Sequence, residues 1–366
     1  MHQEDRFRIS RRDILQTLAA AGAAAIVPAG ALFSQATVNK LTARGGAIDV
    51  HHHHQPPGLQ GGGGAGAAKG GGKGGAGKGG GGRGGGAWTP ARSIEEMDKF
   101  GIASAILSMT QMGDILYSGT EAGRTAVRTG NDYGAKLMQD NPKRFGLFAA
   151  VPLPDLDGCL KEVEYAYDTL KCDGIGIYTN DNGNRWPGDP YYEPMYQELN
   201  RRKAIVFMHP LAPKCCTNLN YGAPFNMNEF DFDVTRCVTS LLVNGVLHRY
   251  PEIRFIVPHS GGTLPVLAAR IQNRYPADAK RAEYIPNGVF AELRKLYYEC
   301  AHATYPAPLA ALTKFAPTSQ LLFGTDFSPE PIETTVDQLP TSGLTQDVLQ
   351  AIERGNAERL FPRFKV

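Results

Sequence analysis

After residue 46 the chain falls into eight short runs rich in Val, Ile, Leu, Phe and Tyr, each followed by a longer stretch with apolar positions at helical spacing. The short runs, bounded by Gly, Pro, Asp and Asn, predict strands over 47–51, 102–108, 146–151, 174–178, 204–208, 254–258, 296–300 and 321–324. The stretches between and after them predict helices over Ser93–Phe100, Gly123–Asn141, Leu156–Leu170, Glu193–Arg202, Asp231–Arg249, Thr263–Tyr275, Pro306–Lys314 and Thr345–Arg359. Eight strands, each followed by a helix, predict one closed (β/α)8 TIM barrel, with an open doubly wound sheet as the competing arrangement. A length of 366 residues suffices for such a core.

The polar residues that interrupt the pattern sit where strands run out. Four consecutive histidines, His51 to His54, follow Ile48-Asp49-Val50. His209 ends Ile-Val-Phe-Met-His, His259 ends Phe-Ile-Val-Pro-His, His302 follows Tyr-Tyr-Glu-Cys-Ala, and Asp326 ends Leu-Leu-Phe-Gly-Thr-Asp. In a barrel of this kind the carboxyl ends of the strands build the active site. Imidazoles gathered with a carboxylate at one place suit a divalent metal ion. Alternate side chains of a strand share a face, so either His51 and His53 or His52 and His54 can chelate one ion. His302 taken alone reads as readily as a hydrogen-bonded structural residue.

Composition narrows the classes. A formal charge of +2 with dispersed basic residues gives no reason to expect a nucleic-acid partner. Six cysteines without metal-finger spacing are not a disulfide scaffold, and adjacent Cys215 and Cys216 read as loop and packing residues. At the amino end, Ser10-Arg11-Arg12-Asp13-Ile14-Leu15 precedes a weakly apolar Ala/Gly run to Phe33 and a small-residue site at Ser34-Gln35-Ala36. This resembles a twin-arginine export signal over 1–36, cleaved after Ala36, and implies a periplasmic or extracellular protein; an uncleaved membrane anchor is the alternative. The barrel then occupies 37–366. Residues 61–87 are almost all Gly, with Ala, Lys69, Lys73, Lys78 and Arg83, and read as a disordered insertion within the barrel, because they have nothing to bury.

The segments Ile48-Asp49-Val50-His51-His52-His53-His54-Gln55-Pro56-Pro57, Phe207-Met208-His209-Pro210, Pro258-His259-Ser260-Gly261-Gly262-Thr263-Leu264-Pro265 and Phe323-Gly324-Thr325-Asp326-Phe327 resemble the amidohydrolase superfamily. They are most similar to its decarboxylase branch, which includes the aminocarboxymuconate-semialdehyde, γ-resorcylate and 6-methylsalicylate decarboxylases. The resemblance implies one divalent ion, zinc or alternatively manganese, held by His51, His53, His209 and Asp326. It implies Asp326 and His259 as catalytic residues, and a small aromatic carboxylic acid as substrate. His302 is a candidate substrate contact. Arg270 matches an arginine that reaches a neighbouring subunit's site, which implies a homo-oligomer, a dimer or larger. A further arginine of the muconate-semialdehyde enzyme falls here on Ser93, with Arg92 beside it, so that enzyme's substrate is not implied.

The expected reaction is a metal-dependent, non-oxidative decarboxylation of a hydroxylated aromatic or related unsaturated acid. Two readings compete. The same ion can serve hydrolysis of a lactone or amide, although the fourth strand ends Tyr178-Thr179-Asn180, without the lysine of two-metal hydrolases. A non-catalytic exported binding protein is the other. The glycine tract yields a separate expectation. Joining Gly61 to Ala87 by deletion removes little apolar surface and shortens a loop whose closure cost varies slowly with length, so melting should stay within a few degrees of the parent protein. A large drop in melting temperature contradicts the disordered reading.

Overall fold

The computed structural model describes residues 41–59, 88–109, 113–182, 185–216 and 222–366; the signal-like segment and the glycine tract lie outside them. Eight parallel strands follow one another in chain order: β1 Ala47–His54, β2 Ile102–Met109, β3 Phe145–Ala150, β4 Gly174–Tyr178, β5 Ile205–His209, β6 Arg254–Val257, β7 Tyr297–Glu299 and β8 Leu321–Leu322. The end of β8 returns to β1. Val50 N–H donates to the Phe323 carbonyl at 3.0 Å, Asp326 N–H to His51 at 2.8 Å and His53 N–H to Phe327 at 2.6 Å. The arrangement is the expected (β/α)8 barrel.

Eight helical segments alternate with the strands. Seven are α1 Pro90–Phe100, α2 Glu121–Asp140, α3 Leu156–Tyr165, α4 Glu193–Arg201, α5 Glu229–Val243, α6 Leu264–Arg274 and α7 Pro306–Phe315. The eighth runs from Gln346 to Leu360 with a five-residue π turn at Ala351–Gly355. Local chemistry sets the starts. Thr89, Thr120 and Asp155 each accept a backbone N–H of the first turn with their side-chain oxygen. Two predicted helices are divided. The one predicted over Leu156–Leu170 passes from α3 into a π turn at Ala166–Leu170, ended by left-handed Lys171. The one predicted over Asp231–Arg249 breaks at Gly245, whose φ of 71° ends α5 before a last turn at Val246–Arg249.

Two apolar clusters result. The larger fills the space between strands and helices. The smaller lies inside the barrel, where Ile48, Val50, Ile106, Phe148, Phe207, Ile256 and Leu322 meet Leu360, Phe361 and Phe364 from the carboxyl end of the chain. Phe148 stacks on Phe207 with centroids 5.1 Å apart and meets Phe361 edge-on at 5.9 Å. This packing closes the amino-terminal end of the barrel and leaves the carboxyl ends of the strands for chemistry. Phe361→Ala should therefore lower unfolding free energy by about 3–5 kcal/mol. Chemical denaturation measures it, and a loss near zero contradicts a closing role for that ring.

Candidate metal centre

The four histidines of β1 are sorted by strand alternation, with a register irregularity between Asp49 and His52. His51 and His53 point into the barrel. His52 points outward, with Nδ1 2.9 Å from Asp49 Oδ2 and Nε2 2.7 Å from Ser93 Oγ. His54 packs among Tyr133 and Trp88. Asp49 is itself a clamp: it accepts His51 N–H at 3.0 Å, Thr325 N–H at 3.1 Å and the Thr325 hydroxyl at 2.6 Å, and so ties β1 to the segment that carries Asp326.

Inside the barrel the ends of β1, β5 and β8 converge. His51 Nε2 lies 3.1 Å from His53 Nε2, and Asp326 Oδ1 lies 2.7 Å from His53 Nε2 and 3.2 Å from His51 Nε2. His209 completes a group whose donor atoms all lie within 4.8 Å of one another. Each imidazole is anchored by its other nitrogen: His51 Nδ1 on Glu299 at 2.9 Å, His53 Nδ1 on Ser108 Oγ at 2.9 Å, and His209 Nδ1 on the Pro210 carbonyl at 2.9 Å. A carboxylate and a carbonyl only accept, so His51 and His209 carry their proton on Nδ1. The neutral His209 ring then turns a lone pair on Nε2 toward the centre, and His51 would do so once a bound cation displaced its second proton.

Electrostatics fit a cation at this point. Burial holds His53 down at about 4 and His209 well below the ordinary imidazole value, so both rings are neutral, as metal ligands must be. His51 behaves oppositely. Burial pulls it down, but the carboxylates of Asp326 and Glu299 outweigh burial and push it up to about 10. Two buried carboxylates therefore hold a positive charge where a divalent ion would sit. Donor separations near 3 Å also match ligands that share one ion, because metal–donor bonds of about 2.0–2.2 Å place neighbouring donors roughly 3–3.5 Å apart. The three imidazoles and the carboxylate thus fit a single divalent cation.

The remaining candidates lie beside this group or away from it. Asp326 turns its second oxygen to His302, whose Nε2 is 2.8 Å away. His259, buried, has its Nε2 3.6 Å from the same oxygen, too far for a hydrogen bond, and that nitrogen has no partner among the described residues. Burial lowers the His259 value, yet the nearby carboxylates of Asp231, Asp326 and Glu299 raise it to about 9, so the ring is a cationic donor. Arg270 is exposed on α6 and makes none of these contacts. Ser93 is committed to His52, while the Arg92 guanidinium lies 5.8 Å from the Phe327 ring. Sequence reasoning missed Glu299 and Asp231. Glu299 is fully buried on β7 and accepts His259 N–H and Ala301 N–H, both at 2.6 Å, besides anchoring His51. Its signal was a lone acid inside the apolar run Leu-Tyr-Tyr-Glu-Cys-Ala.

These features, a (β/α)8 barrel with His-X-His on its first strand and histidine and aspartate at later strand ends, define a metal-type barrel enzyme. Residues 48–363 match the amidohydrolase family, and the chain belongs to that family. It is similar to a decarboxylase of Aspergillus niger, 34% identical over 297 residues that cover 76% of this chain and 80% of that one. It is also similar to the 6-methylsalicylic acid decarboxylase of Penicillium expansum, 30% identical over 283 residues that cover 76% of this chain and 87% of that one. Among solved structures, a dihydroxybenzoic acid decarboxylase from Polaromonas with bound manganese and 2-nitroresorcinol shares the fold. Its TM-score is 0.66 at 21% identity, covering 75% of this chain and 86% of that one.

The sorting of the four histidines has a direct check. His209→Ala and Asp326→Ala should each lower the metal content of purified protein measured by elemental analysis. His52→Ala should keep it, while melting earlier because Asp49 and Ser93 lose a buried partner. Metal retained in both of the first two variants, or lost in the third, reverses the assignment.

Proposed function

We propose that the chain is a metal-dependent carboxy-lyase that decarboxylates a hydroxylated aromatic acid without an oxidant. His51, His53, His209 and Asp326 hold one divalent ion. Three imidazoles and a carboxylate favour zinc by donor chemistry, with manganese, present in the Polaromonas enzyme, as the alternative. Such an ion supplies fixed positive charge for the substrate's carboxylate and hydroxyl oxygens. The single observation that carries the reading is the ion pair of Asp326 with His259, a buried, cationic imidazole whose Nε2 lies 3.6 Å from Asp326 Oδ2 and has no hydrogen-bond partner among the described residues.

The chain's own groups account for the proton movements. Burial raises the Asp326 value, but the charge on His51 and bonds from the surrounding imidazoles hold it well below the ordinary carboxylate range, so at rest Asp326 is ionised and free to accept a proton. It takes the proton of the substrate hydroxyl as the phenol ionises, then delivers it to the ring carbon that bears the carboxylate. That carbon becomes tetrahedral, its bond to the carboxylate breaks, carbon dioxide leaves, and the electron pair restores the aromatic ring. His259 donates to a substrate oxygen throughout and steadies the negative charge there. His302 holds the second oxygen of Asp326 and so aims the carboxylate.

Arg270 belongs to the same proposal as a residue offered to a neighbouring copy. It shares a face of α6 with Val266, four residues earlier and 71% exposed, which suits an interface in a homo-oligomer. Export through the twin-arginine route rests on the amino-terminal sequence alone.

Turnover in heavy water separates the reactions. A decarboxylase should place deuterium on the ring carbon that lost its carboxylate, and His259→Ala should keep its metal yet lose about 100-fold or more in kcat. Solvent oxygen incorporated into product without release of carbon dioxide would establish the hydrolase instead.

A further inference from the structure

Of the six cysteines, Cys215 is exposed and the other five are buried. Burial pushes the thiols of Cys159, Cys172, Cys237 and Cys300 up, so they stay protonated and inert within the core. Cys215 and Cys216 differ because each faces the other. They end a single tight turn, Lys214–Cys216, in which Cys216 N–H donates to the Pro213 carbonyl at 3.1 Å, and their sulfurs meet at 2.9 Å. The hydrogen bond with Cys215, and then burial, push the Cys216 thiol up to about 11, while the nearby Arg236 charge favours its thiolate. An exposed sulfur packs nothing, so Cys215 is not the packing residue that its sequence context suggests.

We propose that Cys215 and Cys216 are a redox-modification site, oxidised by a low-molecular-weight disulfide such as glutathione disulfide to a bond between adjacent residues. The exposed Cys215 sulfur, as its thiolate, attacks one sulfur of the oxidant, forms a mixed disulfide and expels one thiolate. Cys216 then attacks Cys215 Sγ, the mixed disulfide breaks, and the second thiolate leaves. The two cysteine thiols lose two electrons, the oxidant gains them, and the two protons end on the two released thiols. Adjacent Cα atoms lie about 3.8 Å apart, below the range of about 4.4–6.8 Å usual for a disulfide, so the bond is easily reduced and suits reversible modification instead of a structural staple. The same loop begins at His209, yet it is pinned in between. Leu211 N–H donates to Thr179 Oγ1 at 3.0 Å, and Asn180 Nδ2 donates to the Leu211 carbonyl at 2.7 Å. Closure of the ring therefore stays within the turn and leaves His209 in place.

The test treats the full, metal-loaded chain with glutathione disulfide and reads intact mass, peptide mass and metal content. The wild type should lose the mass of two hydrogens per chain, as a Cys215–Cys216 bond within one peptide, and retain no glutathione. It should keep its metal and return to the starting mass with dithiothreitol. Cys216→Ser should stop with one glutathione held on Cys215. Cys215→Ser, a change at an exposed position without a folding cost, should stay unmodified. A lasting glutathione adduct on the wild type, modification at another cysteine, or no reaction at all overturns the site. Metal lost on oxidation overturns its separation from His209.

Discussion

The carboxylate of Glu299 is the point from which the site is hung. It is wholly enclosed, yet it stays ionised: burial raises its value, and the charge of His51 with hydrogen bonds from His51 and Ala301 lowers it further than burial raises it. Desolvating a carboxylate costs several kcal/mol, on the order of what a short charge-assisted network returns, so the group persists only with its partners complete. Those partners belong to different strands. One oxygen takes His51 Nδ1 from β1 and the His259 N–H after β6, and the other takes Ala301 N–H just past β7. One buried charge thereby fixes both the ring orientation of a candidate ligand and the backbone of a candidate catalytic residue. The approach is close enough that a Cβ on Gly324 would lie 2.2 Å from Glu299 Oε2, which explains glycine at that place in Phe-Gly-Thr-Asp.

The site also holds backbone strain. His259, His302 and Asp326 adopt φ of 50°, 60° and 58°, a left-handed conformation that costs a residue other than glycine about 1–3 kcal/mol. All three stand just beyond a strand, where continuing extended backbone would send successive side chains alternately in and out. The left-handed turn breaks that alternation and lets three ends deliver a side chain to one oxygen pair. The two apolar clusters and the Asp49 clamp supply the rigidity that keeps these conformations from relaxing.

Much of this was legible in the chain. Strand positions followed from runs of β-branched and aromatic residues, because a buried parallel sheet leaves little room for other choices. Alternation limited the four histidines to two pairs, and the family spacing chose between them. What escaped was of two kinds. The passage from α3 into a π turn at Ala166–Leu170 and the break after Val243, set by left-handed Gly245, are local changes that hydrophobic periodicity does not register. The supporting residues Glu299 and Asp231 escaped because their partners lie elsewhere in the sequence. Glu299 lies 248 positions from His51, and nothing local announces the contact.

The mouth of the barrel is chemically divided, and the division follows strand order. β1 and β5 to β8 bring imidazoles and carboxylates, while β2 to β4 bring the uncharged Ser108, Ala150, Gly176 and Tyr178. A substrate with a charged end and an apolar ring edge has one favourable orientation in such a field. Reversal would strand its carboxylate among Phe148 and Phe207 and press its ring against Asp326. Orientation is then set by opposing preferences at two ends, so no single contact need be strong. Asp326 divides its two oxygens between the candidate ligand group and the His259–His302 side, so the carboxylate is fixed from both sides where the charged and apolar parts of the mouth meet.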